Sequence, residues 1–233
     1  MCNFKSGYVI RRGILISLVT DSHNEIVLEH KESMWLTDKE VEEGVPVELK
    51  LKDGGCYDNH DDFEFVIDCL ASKIPSWFDA KKVEAEFRGI LKEILPPMAE
   101  IKVFPGDLDL HNYSHDFNAP LLTQTGDLDL HNYSHDFNAP LLTQTGDLYL
   151  RNYSHDFNAP LLIQTGYLYL RNYSHDFNAP LLTQTGHLDL QGYSHDFNAP
   201  LLTQTGDLYL QGYSHAQELR ALIDANKRKS QID

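Results

Sequence analysis

Cysteines, cations and long apolar runs are scarce in this 233-residue sequence, and each scarcity excludes a class of protein. The three cysteines, Cys2, Cys56 and Cys69, have no CxxC spacing, which excludes a disulfide framework and suits a reducing compartment. The net charge of -16 argues against direct nucleic-acid or anionic-membrane binding, because such partners need clustered Lys and Arg. No apolar run approaches the roughly 18 residues that a membrane span requires. We therefore expect a soluble, cytoplasmic protein that contacts no membrane.

A 20-residue repeat fills the second half of the chain. The stretch GDLDLHNYSHDFNAPLLTQT occupies residues 106–125 and recurs unchanged at 126–145, and further copies begin at Gly146, Gly166, Gly186 and Gly206. The last copy ends after His215. A fixed period of this length is typical of solenoids, in which each repeat is one coil packed between its neighbours.

Each copy contains the pattern of a half-buried strand. Leu108 and Leu110 alternate with polar residues, which predicts a strand with one buried face. A second strand is predicted from Leu121 to Thr125, and the intervening NYSHDFN is interpreted as a corner because it is rich in turn formers. A leucine-rich repeat is the competing interpretation, but its helical return does not suit the Pro and Asn of SHDFNAPLLTQTG. The sequence therefore predicts a mainly β fold, a β-solenoid with 20 residues per coil.

The flanking segments differ from the repeat. Residues 1–104 contain strand-like runs at 8–11, 14–19, 47–51 and 63–67 and a helical pattern in IPSWFDAKKVEAEFRGILKEIL, which predicts a small α+β domain. Residues 105–215 form the predicted solenoid of five full repeats and one partial repeat. In the tail, 216–233, leucines at helical spacing predict a helix that caps the solenoid. The first domain would cover the other end, since an open edge promotes aggregation.

Three places in the repeat vary while the others stay nearly constant. These are the second, fourth and sixth places, whose side chains point away from the core of a pleated strand. Because Tyr and Arg are enriched at protein interfaces, we predict that these columns form a binding surface, here called the variable face. Its predicted binding residues are Asp107, Asp109, Asp127, Asp129, Asp147, Tyr149, Arg151, Tyr167, Tyr169, Arg171, His187, Asp189, Asp207 and Tyr209. The alternative interpretation is that these columns are a solvent-exposed surface whose residues vary because they have no function.

Two other repeated features suggest further hypotheses. Threonine pairs such as Thr123 and Thr125 resemble the TxT arrays of ice-binding proteins, provided that both threonines face outward. Pairs such as His115 and Asp116, stacked along the coils, could hold divalent metal ions, although a solvated corner is the simpler interpretation. We predict no metal site and no cofactor, because the chain has no zinc-ligand spacing, glycine-rich phosphate loop or GxSxG motif.

The N-terminal segment contains one candidate catalytic arrangement. Removal of Met1 would expose Cys2 as an N-terminal nucleophile whose α-amino group serves as base. Asp21 and His23 in TDSHNE are its candidate partners. The same Asp-Ser-His is also an N-cap pattern for a helix that begins near His23, so the sequence alone does not favour catalysis.

Parts of the sequence are similar to a known family. MCNFKSGYVI, DSHNEI and PSWFDAKKVE together resemble the start of uncharacterised proteins of phages and bacterial mobile elements. NAPLLTQTGDLYL is similar to the NAP-L-T-x-GxLxL coils that often follow that domain, which in turn are similar to the β-solenoid of receptor L domains. The resemblance implies no specific activity. It implies a mobile-element context, in which small acidic proteins often disable host defences, and a location in the host cytoplasm.

These observations predict a non-enzymatic interaction or inhibitor protein. Its expected specific form is a phage counter-defence protein that binds a host protein with a basic surface through the variable face. An open solenoid edge would also permit a homodimer. The two alternatives are a Cys2-dependent enzyme that uses the solenoid for targeting, and an ice-binding protein that uses the TxT array.

Overall fold

The computed structural model describes residues 5–17, 22–104, 106–111 and 113–230, which form two compact units. One unit contains residues up to Pro97 together with Pro105–Asp107, and the other contains Met98–Phe104 and Leu108–Asp233. The predicted fold class is confirmed: an α+β region precedes a β-solenoid and a C-terminal helix. Within the described ranges, no helix is long and apolar enough to span a membrane.

The first unit is a four-stranded antiparallel sheet with helices packed on it. Its elements are β1 (Lys5–Ile10), β2 (Gly13–Leu15), α1 (His23–Ser33), α2 (Asp38–Glu42), β3 (Val45–Leu51), β4 (Phe63–Ile67) and α3 (Ala80–Ile94), with short 3-10 turns at His60–Asp62 and Ala71–Lys73. The strand order is β2-β1-β3-β4. The four strand-like runs of the sequence therefore all correspond to strands, with shifted ends.

Each main helix is held by apolar side chains at helical spacing. α3 begins after Asp79, whose side chain caps the Lys82 N–H, and it buries Val83, Phe87 and Leu91, three of the positions that its sequence pattern predicts. α1 begins at His23, as the N-cap pattern predicts, and contributes Ile26 to a small core with Ile10 and Leu15. Burial of these side chains contributes about 1.5–3 kcal/mol each.

The second unit is the solenoid, whose strands are two to six residues long and are followed by one helix. In chain order they are β5 (Leu108–Asp109), β6 (Phe117–Asn118), β7 (Leu128–Asp129), β8 (Phe137–Asn138), β9 (Leu148–Tyr149), β10 (Gln164–Tyr169), β11 (Phe177–Asn178), β12 (Gln184–Asp189), β13 (Phe197–Asn198), β14 (Leu208–Tyr209) and α4 (Ala216–Ser230). A six-stranded parallel sheet runs in the order β14-β12-β10-β9-β7-β5. Its strands pair each residue with the one twenty positions later, for example Leu168 with Leu188.

The coil has three parallel ladders, and one of them lies in the segment that was predicted as a corner. The second ladder is made by Phe117–Asn118 and its equivalents, inside the segment that the sequence suggested to be a corner. Residues Pro120 and Leu121 are a turn instead. A third ladder lies in the predicted second strand: it is a single bridge at Gln124 and Gln144, and in β10 and β12 it is continuous with the first ladder. The repeats contain no helical return in the described residues, as the β interpretation predicts.

Residues 98–104 extend the solenoid by part of a coil. Val103 bridges to Gln124, and the Phe104 N–H donates to the Gln124 carbonyl at 2.9 Å. Because Met98, Ile101 and Phe104 are buried, this segment adds an apolar layer below the first full repeat. The sequence placed it with the first domain because it lacks the repeat motif.

The interior is built from columns of identical side chains. Leu108, Leu110, Phe117, Ala119 and Leu122 are all buried, and their equivalents in the following coils stack on them. Phe117 and Phe137 stack with ring centroids 5.5 Å apart and an interplanar angle of 7°. The repetition of these residues therefore has a structural cause, because each coil is packed against a copy of itself.

Buried tyrosines connect successive coils through hydrogen bonds. The Tyr153 hydroxyl donates to the His135 carbonyl of the preceding coil at 3.3 Å and accepts from the Phe137 N–H at 3.2 Å. Tyr173 makes the same two bonds one coil later, at 3.2 Å to the His155 carbonyl and at 2.8 Å from the Phe157 N–H. Each hydroxyl satisfies two backbone groups that would otherwise be buried without partners.

The seventh place of the coil needs a left-handed backbone. Asn132, Asn152 and Asn172 have φ values of 57°, 56° and 58°, and Gly192 and Gly212 replace them with φ values of 67° and 81°. Asn and Gly are the residues that adopt this region most readily. The change from Asn to Gly in the last copies therefore keeps the turn and carries no functional information.

The predicted C-terminal helix, α4, packs against the last coils. It buries Leu219 and Ile223, and the Asn226 side-chain amide donates to the carbonyls of Pro200 and Leu202 at 2.9 and 3.1 Å. These bonds use backbone acceptors of the fifth coil that have no sixth full coil to pair with. The helix therefore caps this end of the solenoid, as its apolar spacing predicts.

Candidate functional site: the variable face

The variable columns lie on the outer side of the six-stranded parallel sheet. The alternating leucines, such as Leu148 and Leu150, are fully buried, whereas Tyr149 between them is only partly buried and Arg151 is exposed. All of the predicted binding residues except Asp107 belong to the solenoid unit. The sheet holds them in register at intervals of one coil, so the sequence correctly identified which side chains face outward on this surface.

Most carboxylates of this face hold the backbone in place. Asp127 Oδ1 accepts from the Asp147 N–H at 2.7 Å, and Asp147 Oδ1 accepts from the Tyr167 N–H at 2.7 Å. In the neighbouring column, Asp109 Oδ1 accepts from the His111 N–H at 2.9 Å. Burial raises the pKa of the Asp109 carboxyl, and its bond from the His111 N–H opposes that shift. These aspartates therefore stabilise the backbone of the coils. Their carboxylates are not all available to a partner, as the repeated sequence pattern alone would suggest.

The aromatic residues of the face form one continuous stack across three coils. Tyr149 and Tyr169 stack with centroids 4.8 Å apart, Tyr169 lies 5.4 Å from Tyr167, and Tyr167 stacks on His187 at 4.0 Å. The Tyr149 hydroxyl also donates to Asp147 Oδ2 at 2.9 Å. Burial, and secondarily the Asp147 carboxylate, raise the pKa of the Tyr149 phenol, so it stays protonated. The stack is therefore a rigid, partly exposed aromatic surface.

A shallow depression of about 310 Å³ lies beside this stack. It is lined by Asp129, His131, Tyr149, Arg151, Tyr169, Arg171 and Asp189. Arg151 and Arg171 are exposed, and neither forms an ion pair with any residue in the part of the chain that the structure describes. Two adjacent guanidinium groups next to stacked tyrosines can hold a carboxylate or phosphate group of a partner, because Arg offers paired N–H donors.

The threonine pairs do not form two exposed rows. Thr145 and Thr165 are buried, and the Thr145 hydroxyl donates to Thr165 Oγ1 at 3.0 Å. The other threonine of each pair bonds to the coil before it, as the Thr143 hydroxyl does to the Thr123 carbonyl at 3.0 Å. An ice-binding array needs outward methyl and hydroxyl groups on both rows, so the arrangement favours a structural role for these residues.

Two of the His-Asp pairs bring an imidazole of one coil close to the carboxylate of the coil before it. His135 Nδ1 lies 3.7 Å from Asp116 Oδ1, and His195 Nδ1 lies 3.8 Å from Asp176 Oδ1. No set of three potential ligands occurs there among the residues whose positions are described. The Asp116 carboxylate also accepts from the Asp136 N–H at 3.2 Å, which gives it a structural role at the corner.

Of the candidate catalytic residues, Cys2 and Asp21 lie outside the described residues. His23 is the first residue of α1, and its Nδ1 lies 3.7 Å from Asp68 Oδ2. Sequence reasoning did not identify Asp68, which follows β4 and is distant along the chain. Only the sheet topology brings it to His23.

No protein-family model, curated protein or solved structure matches this chain. The candidate site is therefore defined by its geometry alone.

Proposed function

We propose that the protein is a non-enzymatic interaction protein that binds another protein through the variable face. The supporting observation is the juxtaposition of stacked Tyr149 and Tyr169 with Arg151 and Arg171, which have no ion-pair partners among the described residues. Tyrosine and arginine are among the residues most enriched at interface anchors. A rigid sheet that already holds them in place reduces the entropy lost on binding.

The proposed partner has a largely basic surface with one acidic group at its centre. The net charge of -16 favours approach of a basic partner, because long-range attraction raises the association rate. The acidic group would pair with Arg151 and Arg171, while the tyrosines would pack against its flanks. The specific form of this proposal is a phage protein that inhibits a host defence protein in the bacterial cytoplasm.

Replacement of the outward-facing tyrosines, which are partly or fully exposed, tests the proposal. The variant with Tyr149→Ser, Tyr167→Ser, Tyr169→Ser and Tyr209→Ser is compared with the unmodified chain in affinity capture from a bacterial lysate. We expect a stoichiometric partner that the variant captures at least about tenfold less well, since anchors of this kind contribute about 2 kcal/mol or more each.

The matched control changes an exposed column on a different ladder. Gln124→Ser and Gln144→Ser alter exposed side chains of an isolated bridge outside the strands that carry the tyrosines, and the control should capture the partner as the unmodified chain does. If the tyrosine variant captured the partner as well as the unmodified chain does, the binding site would have to lie on the first unit. Absence of any specific partner would contradict the interaction proposal itself and favour the Cys2-dependent alternative.

A further inference from the structure

We propose that the first unit binds a divalent transition-metal ion, with Zn²⁺ as the preferred ion, through His23, Glu48 and Asp68. One ligand atom from each residue lies within 4.8 Å of the others, the one such group of three among the described residues. α1 supplies His23, β3 supplies Glu48, and Asp68 directly follows β4. This site is independent of the variable face.

The hydrogen bonding of His23 leaves a lone pair directed at the site. Its Nε2 lies 3.3 Å from the Val47 carbonyl, which can only accept, so Nε2 carries the proton. In the neutral ring Nδ1 is then an acceptor, and it lies 3.7 Å from the Asp68 carboxylate, a second acceptor. Two acceptor atoms that face each other repel, and a cation bound between His23 Nδ1 and the Asp68 carboxylate would remove that repulsion. Histidine that ligates a metal characteristically donates its other N–H to a carbonyl or carboxylate in this way.

Glu48 supplies a buried carboxylate to the same point. Its Oε2 is shielded from solvent and lies 2.7 Å from Lys50 Nζ, which is its ion-pair partner. A buried carboxylate is costly unless a cation neutralises it. Lys50 is one-third exposed, so its ammonium can turn toward solvent when another cation takes its place. Lys50 therefore competes with the metal for Glu48.

The donor set and the surroundings define the ion. One imidazole nitrogen and two carboxylate oxygens suit Zn²⁺ better than Ca²⁺ or Mg²⁺, which prefer oxygen alone. In a tetrahedral Zn²⁺ site the ligand atoms lie about 3.3 Å from one another. Side-chain rotations that move each ligand atom by about 1 Å would bring the three atoms from their present separations to that distance. A cavity of about 680 Å³ opens beside His23 and Asp68, which leaves room for water or a ligand at the remaining position.

Zinc titration of the full-length protein tests the site. After chelator treatment, we expect calorimetry with Zn²⁺ alone to show one tight site in the unmodified chain. Asp68→Asn should weaken that site on the order of 100-fold, since it removes a ligand. Asp68 is more than half exposed, so the variant should retain the melting temperature of the unmodified metal-free chain.

Two further variants separate metal binding from nonspecific charge. Lys50→Met should tighten Zn²⁺ binding because it removes the cation that competes for Glu48. If the three residues had only a structural role, the same variant would be less stable and would bind Zn²⁺ no more tightly. His135→Gln changes a His-Asp pair on the solenoid and should leave the tight site unchanged. Equal Zn²⁺ affinity in the unmodified and Asp68→Asn proteins, or no tight site in either, would overturn the proposal.

Discussion

Between pH 10 and pH 12 the solenoid is expected to unfold cooperatively, because its buried tyrosines ionise only in the unfolded chain. Burial raises the pKa of Tyr173 from 10.0 to about 12 and raises the pKa values of Tyr133, Tyr153 and Tyr193 as well. A raised folded-state pKa gives stability that is complete below pH 10 and is lost as the pH rises above it.

The size of this effect is comparable to the stability of a whole domain. At pH 12 the shift of Tyr173 alone corresponds to roughly 2 kcal/mol, and Tyr133, Tyr153 and Tyr193 shift in the same direction, so the combined loss reaches several kcal/mol. Domains of this kind have unfolding free energies of about 5–15 kcal/mol. Circular dichroism and the later phase of tyrosinate absorbance, which belongs to the buried tyrosines, should therefore change together on the same samples.

Two substitutions make the alkaline prediction specific. Tyr173→Phe should reduce the slope of stability against pH above pH 10 by the equivalent of one proton, although it also lowers stability at neutral pH because the Phe157 N–H loses its acceptor. Tyr167→Phe, at a partly exposed tyrosine of the variable face, should leave the unfolding midpoint unchanged. Tyrosinate absorbance that reaches its full amplitude, for all 12 tyrosines, near pH 10 without loss of circular dichroism would contradict the buried ladder.

Deletion of one complete coil should be tolerated, whereas deletion of half a coil should abolish the fold. Removal of residues 146–165 joins Thr145 to Gly166. A Thr-Gly pair also joins each of the remaining copies to the next. The leucine, phenylalanine and tyrosine columns then remain in register, since each residue pairs with its equivalent twenty positions away. Coils contribute in an approximately additive way, so the shortened chain should still unfold cooperatively, at a lower temperature.

Removal of residues 146–155 provides the comparison, because it breaks that register. It joins Thr145 to Asp156, so the apolar columns beyond the junction no longer lie over those before it. Each coil buries about six apolar side chains at about 1.5–3 kcal/mol each, and misplacing one coil therefore costs on the order of the whole stability. Thermal unfolding followed by circular dichroism distinguishes the variants. Equal melting curves for both deletions would be incompatible with stacked 20-residue coils.

The features that could be predicted from the sequence are those that produce a regular spacing of apolar residues. The period of 20, the inward leucines at places three and five, and the apolar spacing of α3 and α4 all correspond to observed elements, because burial requires those patterns. The ladder at Phe117–Asn118 could not be recognised, since a two-residue strand shows no alternation and its neighbours are turn formers. The partial coil at 98–104 was missed for a related reason: it packs like a repeat without sharing its sequence.

The candidate site was predictable only in part. Alternation identified Tyr149 and Tyr169 as outward-facing, but not that the tyrosines stack or that the neighbouring aspartates bond to backbone N–H groups. Those features depend on the distance between coils. The contact between His23 and Asp68 depends on strand order in the first unit and has no local signal in the sequence.

The affinity of the captured partner for the Arg151→Gln/Arg171→Gln variant tests the central claim most directly. Glutamine occupies the same place in the last two copies, at Gln191 and Gln211, so the repeat accepts it and the melting temperature should not change. If the depression beside the tyrosine stack is the binding site, the dissociation constant should rise on the order of 30-fold or more, with Arg220→Gln on α4 as the unchanged control. An unchanged dissociation constant in a folded double variant would contradict a binding site on the variable face.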